Sequence, residues 1–121
     1  MLASDVIDRV RRTIYDTGPT ETQRFTDTVL RNYLNDALDE VALWRGEELI
    51  QADGTEGTIT DITANGDTIT ILSADWLTPL AAYVSAKCFR EDNPDTANAA
   101  NAQLQYQLWL TALYGHARAA Q

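Results

Sequence analysis

The chain has 121 residues, a length that suits one domain with a single core burying roughly two thirds of the surface its unfolded form exposes. Eighteen acidic against nine basic side chains set the net charge at -9, which argues against a partner bound by neutralising nucleic-acid phosphates. The single cysteine, Cys88, excludes an intrachain disulfide, a CxxC redox pair and a thiolate zinc site. No apolar run approaches the roughly 18 residues of a membrane span, and "MLASDVIDRVRR" lacks the basic start, apolar middle and cleavage site of a signal peptide. A cytoplasmic protein, or one assembled in the cytoplasm, is expected.

"SDVIDRVRRTIYDTG" places Val6, Ile7, Val10 and Ile14 on one helical face, with Ser4 as N-cap and Gly18-Pro19 as the stop. In "RFTDTVLRNYLNDALDEVALWRG", Leu30, Tyr33, Leu34, Ala37, Leu38 and Val41 recur at three- and four-residue steps. Thr26 is the expected cap of that helix, Asp27 suits the positive end of its dipole, Phe25 can staple onto Leu30, and Gly46 ends it. "GEELIQADGTEG" has no period and reads as a loop.

"TITDITANGDTITIL", residues 58–72, then alternates at period two around Asn65-Gly66. Such a dipeptide is the strongest short hairpin signal, because a two-residue type I′ turn needs positive φ at both central positions. Closing on it pairs Ile62 with Ile69 and Thr60 with Ile71 on one face, and Asp61 with Thr70 on the other. "LTPLAAYVSAKCFRED" predicts a third helix with Thr78 as cap, Pro79 at the first helical position and Leu80, Tyr83, Val84 and Cys88 along one face. A fourth helix follows from Asp95 or Thr96. It is alanine-rich first and bulky later, at Leu104, Tyr106, Leu108, Trp109, Leu110 and Leu113, and Gly115 is its expected C-cap before the tail "HARAAQ". The expected fold is mainly α: a four-helix core at about 4–16, 27–45, 79–92 and 96–114 with an inserted β-hairpin at about 58–72. One domain spans 1–121, with its hairpin insertion at 55–73 and its C-terminal tail at 115–121.

Chemistry finds little to stand on. His116 is the only imidazole, no ExxH spacing supports a di-iron site, and "DGTEG" lacks the ligand pattern of a calcium loop, so no metal or cofactor is expected. There is no GxSxG elbow, Walker loop or GxGxxG, and Cys88 falls on an apolar helix face. Asp36 with Asp39 or Glu40 reads as a hydrated outer face, and Arg9, Arg11 and Arg12, flanked by Asp5, Asp8 and Asp16, as local ion pairs. Trp44, Trp76 and Trp109, with Tyr83, Tyr106 and Tyr114, read mainly as core, with some left as interface anchors.

Three stretches in their order, "ASDVIDRVRRTIYDT", "RFTDTVLRNYLNDALDEVA" and "LTPLAAYVSAKCFREDNPDTANAANAQLQYQLWLTALYG", resemble the head-to-tail adaptor (connector) proteins of tailed bacteriophages. Tyr33, Leu34, Asn35, Asp36 and Ala37 match a "YLNDA"-like motif of that family. Tyr83, Phe89 and Asp92 match a second motif, and Tyr106, Leu110, Leu113 and Tyr114-Gly115 approximate a third.

The resemblance implies a structural virion protein, not an enzyme, forming a homo-oligomeric ring of about twelve copies with closed cyclic symmetry. The ring lies in the virion neck, joins the portal protein to a tail or nozzle protein, and is assembled in the bacterial cytoplasm without contact to a membrane. Genomic DNA passes through it without sequence-specific binding, and an acidic channel wall suits that passage. Portal contact is expected in the freed tail: Gly115, His116, Ala117, Arg118, Ala119, Ala120 and Gln121. The hairpin supplies the expected subunit or tail interface, through Thr58, Thr60, Ile62, Asn65, Gly66, Thr68 and Thr70, together with Trp76. Two other classes compete: a small accessory hydrolase using Glu47, Glu48 or Asp53, and a free-standing interaction module.

Overall fold

The computed structural model describes residues 1–92 and 96–119, apart from the side chains of residues 96–97 and 115–119. It contains four α-helices: α1 (Ala3–Thr13), α2 (Asp27–Trp44), α3 (Leu77–Glu91) and α4 (Thr96–Ala119). Short 3-10 turns at Thr20–Thr22, Gly46–Leu49 and Ala74–Trp76 join them.

The apolar face read for α1 is the buried one, with Val6, Ile7, Val10 and Ile14 all in the core. Its ends lie elsewhere than Ser4 and Gly18. Leu2 is the N-cap residue, and the Asp5 carboxylate accepts its amide at 3.0 Å. The helix stops at Ile14-Tyr15, where the Asp16 amide donates to the Arg11 carbonyl at 2.8 Å and the Tyr15 amide to that of Arg12 at 3.4 Å. That pair of bonds is a Schellman motif with Tyr15, at φ 57°, in the left-handed position glycine usually takes. In α2 the expected cap holds, because the Thr26 hydroxyl accepts the Val29 amide at 3.2 Å. Leu30, Leu34, Ala37, Leu38 and Val41 line the buried side of that helix.

The hub of the bundle is α3, which packs against α1, α2 and α4. Its buried residues run without a break from Leu80 to Ala86, so it is covered all round and not along one stripe. Ala81, Ala82, Ser85 and Ala86 make this feasible, since small side chains let neighbouring helices approach from several directions. The helix begins one residue before Thr78, at Leu77, and Pro79 takes the third helical position. There its missing N–H is among those that have no intrahelical acceptor in any case. On α4, Trp109 and Leu113 are buried against the hub, with Trp109 edge-on to Tyr83 and Trp76 at ring-centroid distances of 5.1 and 6.3 Å. The Trp109 indole N–H donates to the Glu40 carboxylate at 3.1 Å and so ties α4 to α2. Gly115 does not end α4, which continues to Ala119; a lone glycine costs a helix interior only about 1 kcal/mol.

The expected β-hairpin is absent: the described residues contain no strand, and only isolated antiparallel bridges, Leu2 with Thr68 and Ile50 with Glu56. The reversal at Asn65-Gly66 does form, closed by the Asp67 amide on the Ala64 carbonyl at 3.1 Å. Neither residue has positive φ, however, so the turn is not the type I′ that would carry two strands into register. The expected pairing of Thr60 with Ile71 on one face fails as well, since Thr60 is exposed and Ile71 half-buried, although Ile62 and Ile69 are both in the core.

Candidate functional site

The segment that was to be a hairpin is held by other parts of the chain. Its second arm lies along the N-terminus: the Ala3 amide donates to the Asp67 carbonyl, the Ser4 amide to that of Asn65 and the Ile69 amide to that of Met1, each at 2.8 Å. Its first arm is clamped by one side chain of α2. The Asn35 amide group donates to the Ile62 carbonyl at 3.0 Å, and its oxygen accepts the Ile62 amide at 2.7 Å. Asn35 therefore imitates one rung of a sheet ladder.

The turn between the arms is fixed by charge. The Asp67 carboxylate accepts the amides of Thr63 and Ala64 at 2.9 and 3.1 Å, which holds its carboxyl below the usual value. The Asn65 side chain accepts from Arg31 at 2.6 Å and donates to Asp27 at 3.0 Å. Asp27 also takes a hydrogen bond from the buried Arg11 at 2.5 Å, the main cause of its lowered pKa. Arg11 reaches the buried Asp16 at 3.1 Å, and Asp16 accepts the amides of Arg24 and Phe25 at 2.9 and 3.2 Å. The Arg24 side chain continues the network to Asp92 beyond α3. Of the basic cluster in α1, Arg11 is thus a buried structural cation, whereas Arg12 is exposed.

What remains is an open edge. Among the described residues, the backbone N–H and C=O groups of Thr58, Ile59, Thr60, Asp61, Thr68, Thr70 and Ile71 have no hydrogen-bond partner in the protein. A slot of about 40 Å³ separates Thr58–Thr60 from Thr68–Ile71. Thr58, Thr60, Thr68 and Thr70 are exposed, while Ile62 and Ile69 point into the core. A neighbouring turn braces the outer end: Gly57 is buried where a Cβ would stand 2.2 Å from the Ile71 side chain.

The expected interface residues therefore separate. The four threonines and Gly66 lie at the surface, Asn65 is half-buried in the turn network, and Ile62 belongs to the core. Trp76 is also buried, beneath the Arg45 guanidinium at 5.3 Å from its ring centre. For the tail, the backbone of Gly115, His116, Ala117, Arg118 and Ala119 continues α4, and Ala120 and Gln121 lie outside the described residues.

The acid candidates have structural partners. Glu47 and Glu48 both pair with Arg45, which is 6% exposed and also donates to the carbonyls of Ala112 and Leu113 at 2.9 and 3.2 Å. Asp53 is exposed, and the Thr55 hydroxyl lowers its pKa, opposite to what a general acid needs. Of the acids on α2, Asp36 and Asp39 are exposed and Glu40 holds Trp109. Cys88 is buried among apolar side chains that push its thiol up to about 12. Among the described residues no group of three or more His, Cys, Asp or Glu could hold a metal, and no helix is long and apolar enough to cross a membrane.

Sequence reasoning missed Asn35 and Arg45 as anchors. Neither left a local trace: Asn35 stands among other polar side chains of the same helix, Asn32, Asp36 and Asp39. No protein-family model, no curated protein and no solved structure matches this chain.

Proposed function

We propose that this chain is a structural head-to-tail adaptor of a tailed bacteriophage, a ring-forming subunit of the virion neck that joins portal to tail and lets DNA pass without sequence-specific binding. The observation that carries the reading is the open edge at Thr58–Asp61, Thr68, Thr70 and Ile71, whose backbone groups lack protein partners although the segment is anchored by Asn35, Asp67 and the N-terminus. An anchored edge suits an added strand from another chain, because the ordering cost is already met and main-chain bonds supply the affinity. The ordered motifs around Tyr33–Ala37, Tyr83–Asp92 and Tyr106–Gly115 support the same assignment. So does the engagement of Glu47 and Glu48 with Arg45, which removes them as free acids for a hydrolase.

The test is to mix the purified chain with the portal ring of its phage and to image the product by electron cryo-microscopy. A ring of this chain seated on the portal is expected, and portal rings that stay bare sink the assignment. Replacing Thr60 and Thr70 by proline removes two edge donors and should block joining while the helical circular dichroism is retained. Deleting residues 115–121 examines the expected portal contact separately.

A further inference from the structure

We propose that the open edge at Thr58–Asp61, Thr68, Thr70 and Ile71 receives a cationic, extended segment of a different protein, in which Lys or Arg alternates with apolar residues. The inference rests on the adaptor reading only for the premise that another protein is joined here, and it names the chemistry of the joining segment. Unpaired backbone N–H and C=O groups along the two arms are matched by another extended backbone, which offers a donor and an acceptor at every residue. Apolar side chains line the same arms. Ile59 and Ile71 pack on the core yet stay half-buried, and Ile50, 52% exposed, joins Ile71, Thr58 and Thr70 around an open hollow of about 580 Å³. Every second residue of an added strand faces one side, so alternate apolar residues complete this cover. At the turn end a second hollow, of about 430 Å³, is lined by Thr60, Asp61, Thr63, Asp67 and Thr68 and so holds two carboxylates.

Charge selects the occupant. Residues 46–86 contain seven carboxylates and no Lys or Arg. Glu47 and Glu48 are taken by Arg45, Asp53 by the Thr55 hydroxyl and Asp67 by the amides of its turn. Glu56, Asp61 and Asp75, close in sequence to the arms, are exposed and form no ion pair among the described residues. An incoming Lys or Arg is attracted to them, whereas an acidic strand is repelled. A second copy of this chain has no such segment to give. Between its helices, residues 14–26, 45–76 and 92–95 hold only Arg24 and Arg45 as cations. Arg24 is engaged by Asp92, and Arg45 by Glu47 and Glu48. The donor is therefore another protein.

Titration of the isotope-labelled full chain with short synthetic peptides, followed by NMR, tests this directly. One peptide alternates Val and Lys, a second replaces its Lys by Glu, and a third keeps the Lys but replaces its Val by Pro, which retains the charge and forbids a strand. The Val-Lys peptide should shift the amides of Thr58–Asp61, Thr68, Thr70 and Ile71. It should also slow hydrogen exchange at alternate amides of an arm, a mark of strand addition that ion pairing alone does not leave. The Glu and Pro peptides should bind at least about tenfold more weakly. Glu56→Gln with Asp61→Asn, both exposed, should weaken the Val-Lys peptide by about tenfold while leaving circular dichroism unchanged. A Glu or Pro peptide that binds as well, a folded double variant that binds as the wild type does, or no shift of these amides at millimolar peptide overturns the proposal. Portal binding is read separately. A chain that ignores every peptide yet seats on the portal loses this partner and keeps the adaptor reading; one that takes up the Val-Lys peptide yet leaves the portal bare does the reverse.

Discussion

Tyr15 shows how a single residue can carry strain that local sequence does not announce. It is 88% exposed and sits at φ 57°, where an L-residue costs about 1–2 kcal/mol relative to right-handed backbone. Gly18-Pro19 offered a cheaper stop, but stopping at Ile14 buries that side chain and brings Asp16 onto Arg11 and the amides of Arg24 and Phe25. Tyr15→Gly should therefore raise stability by about 1 kcal/mol, seen as a melting point a few degrees higher; an unchanged or lower melting point would remove the strain argument. Asp27 provides a pH test. Its folded pKa lies below the ordinary 3.8, chiefly because Arg11 donates to it. The stability this adds is fully present above 3.8 and is lost as pH falls through the lower folded value. The melting-point gap between wild type and Asp27→Asn should thus close on acidification below that range. A gap that persists to the lowest pH at which the protein folds would reassign the effect to shape. The Thr26 cap was legible in advance because N-capping needs only one hydroxyl and a neighbouring amide three residues on.

Among the elements, residues 58–72 separate what local chemistry specifies from what it leaves open. The reversal at Asn65-Gly66 was legible, and so was the common face of Ile62 and Ile69, because both follow from residue type and period-two spacing; that Ile62 lies in the core and not at the expected interface was not. The partner of each arm was not. One arm bonds to Met1, Ala3 and Ser4, more than sixty residues away, and the other to a side chain of α2. Pairing of that range is decided by which surfaces the helices bring together. Asn35→Ala leaves the Ile62 N–H and C=O without their partner and should cost about 1–3 kcal/mol. Hydrogen exchange at Ile62 and its neighbours should accelerate while α3 keeps its protection; equal protection in the variant would show that the N-terminal contacts suffice alone.

At the scale of the whole molecule, α3 and Trp109 hold the fold together. Trp109 is fully buried, bonded to Glu40 and edge-on to Tyr83 and Trp76, so Trp109→Ala should cost about 3–5 kcal/mol and loosen α4 first. Limited proteolysis should then cut within α4 before α1 or α2, and a variant cleaved uniformly would argue against that order. The sequence by itself determined four helices, the inward faces of α1 and α2 and the single core, because periodicity, capping and composition act over a few residues. Only the tertiary structure decided that α3 is covered on every side, that Trp76 is core, and that Arg45 spans Glu47, Glu48 and α4. It also decided that the threonine arms bond to the N-terminus and Asn35 instead of to each other. The physical reason is common to all of these: burial and hydrogen-bond partners belong to surfaces assembled from distant segments, which no window of neighbouring residues contains.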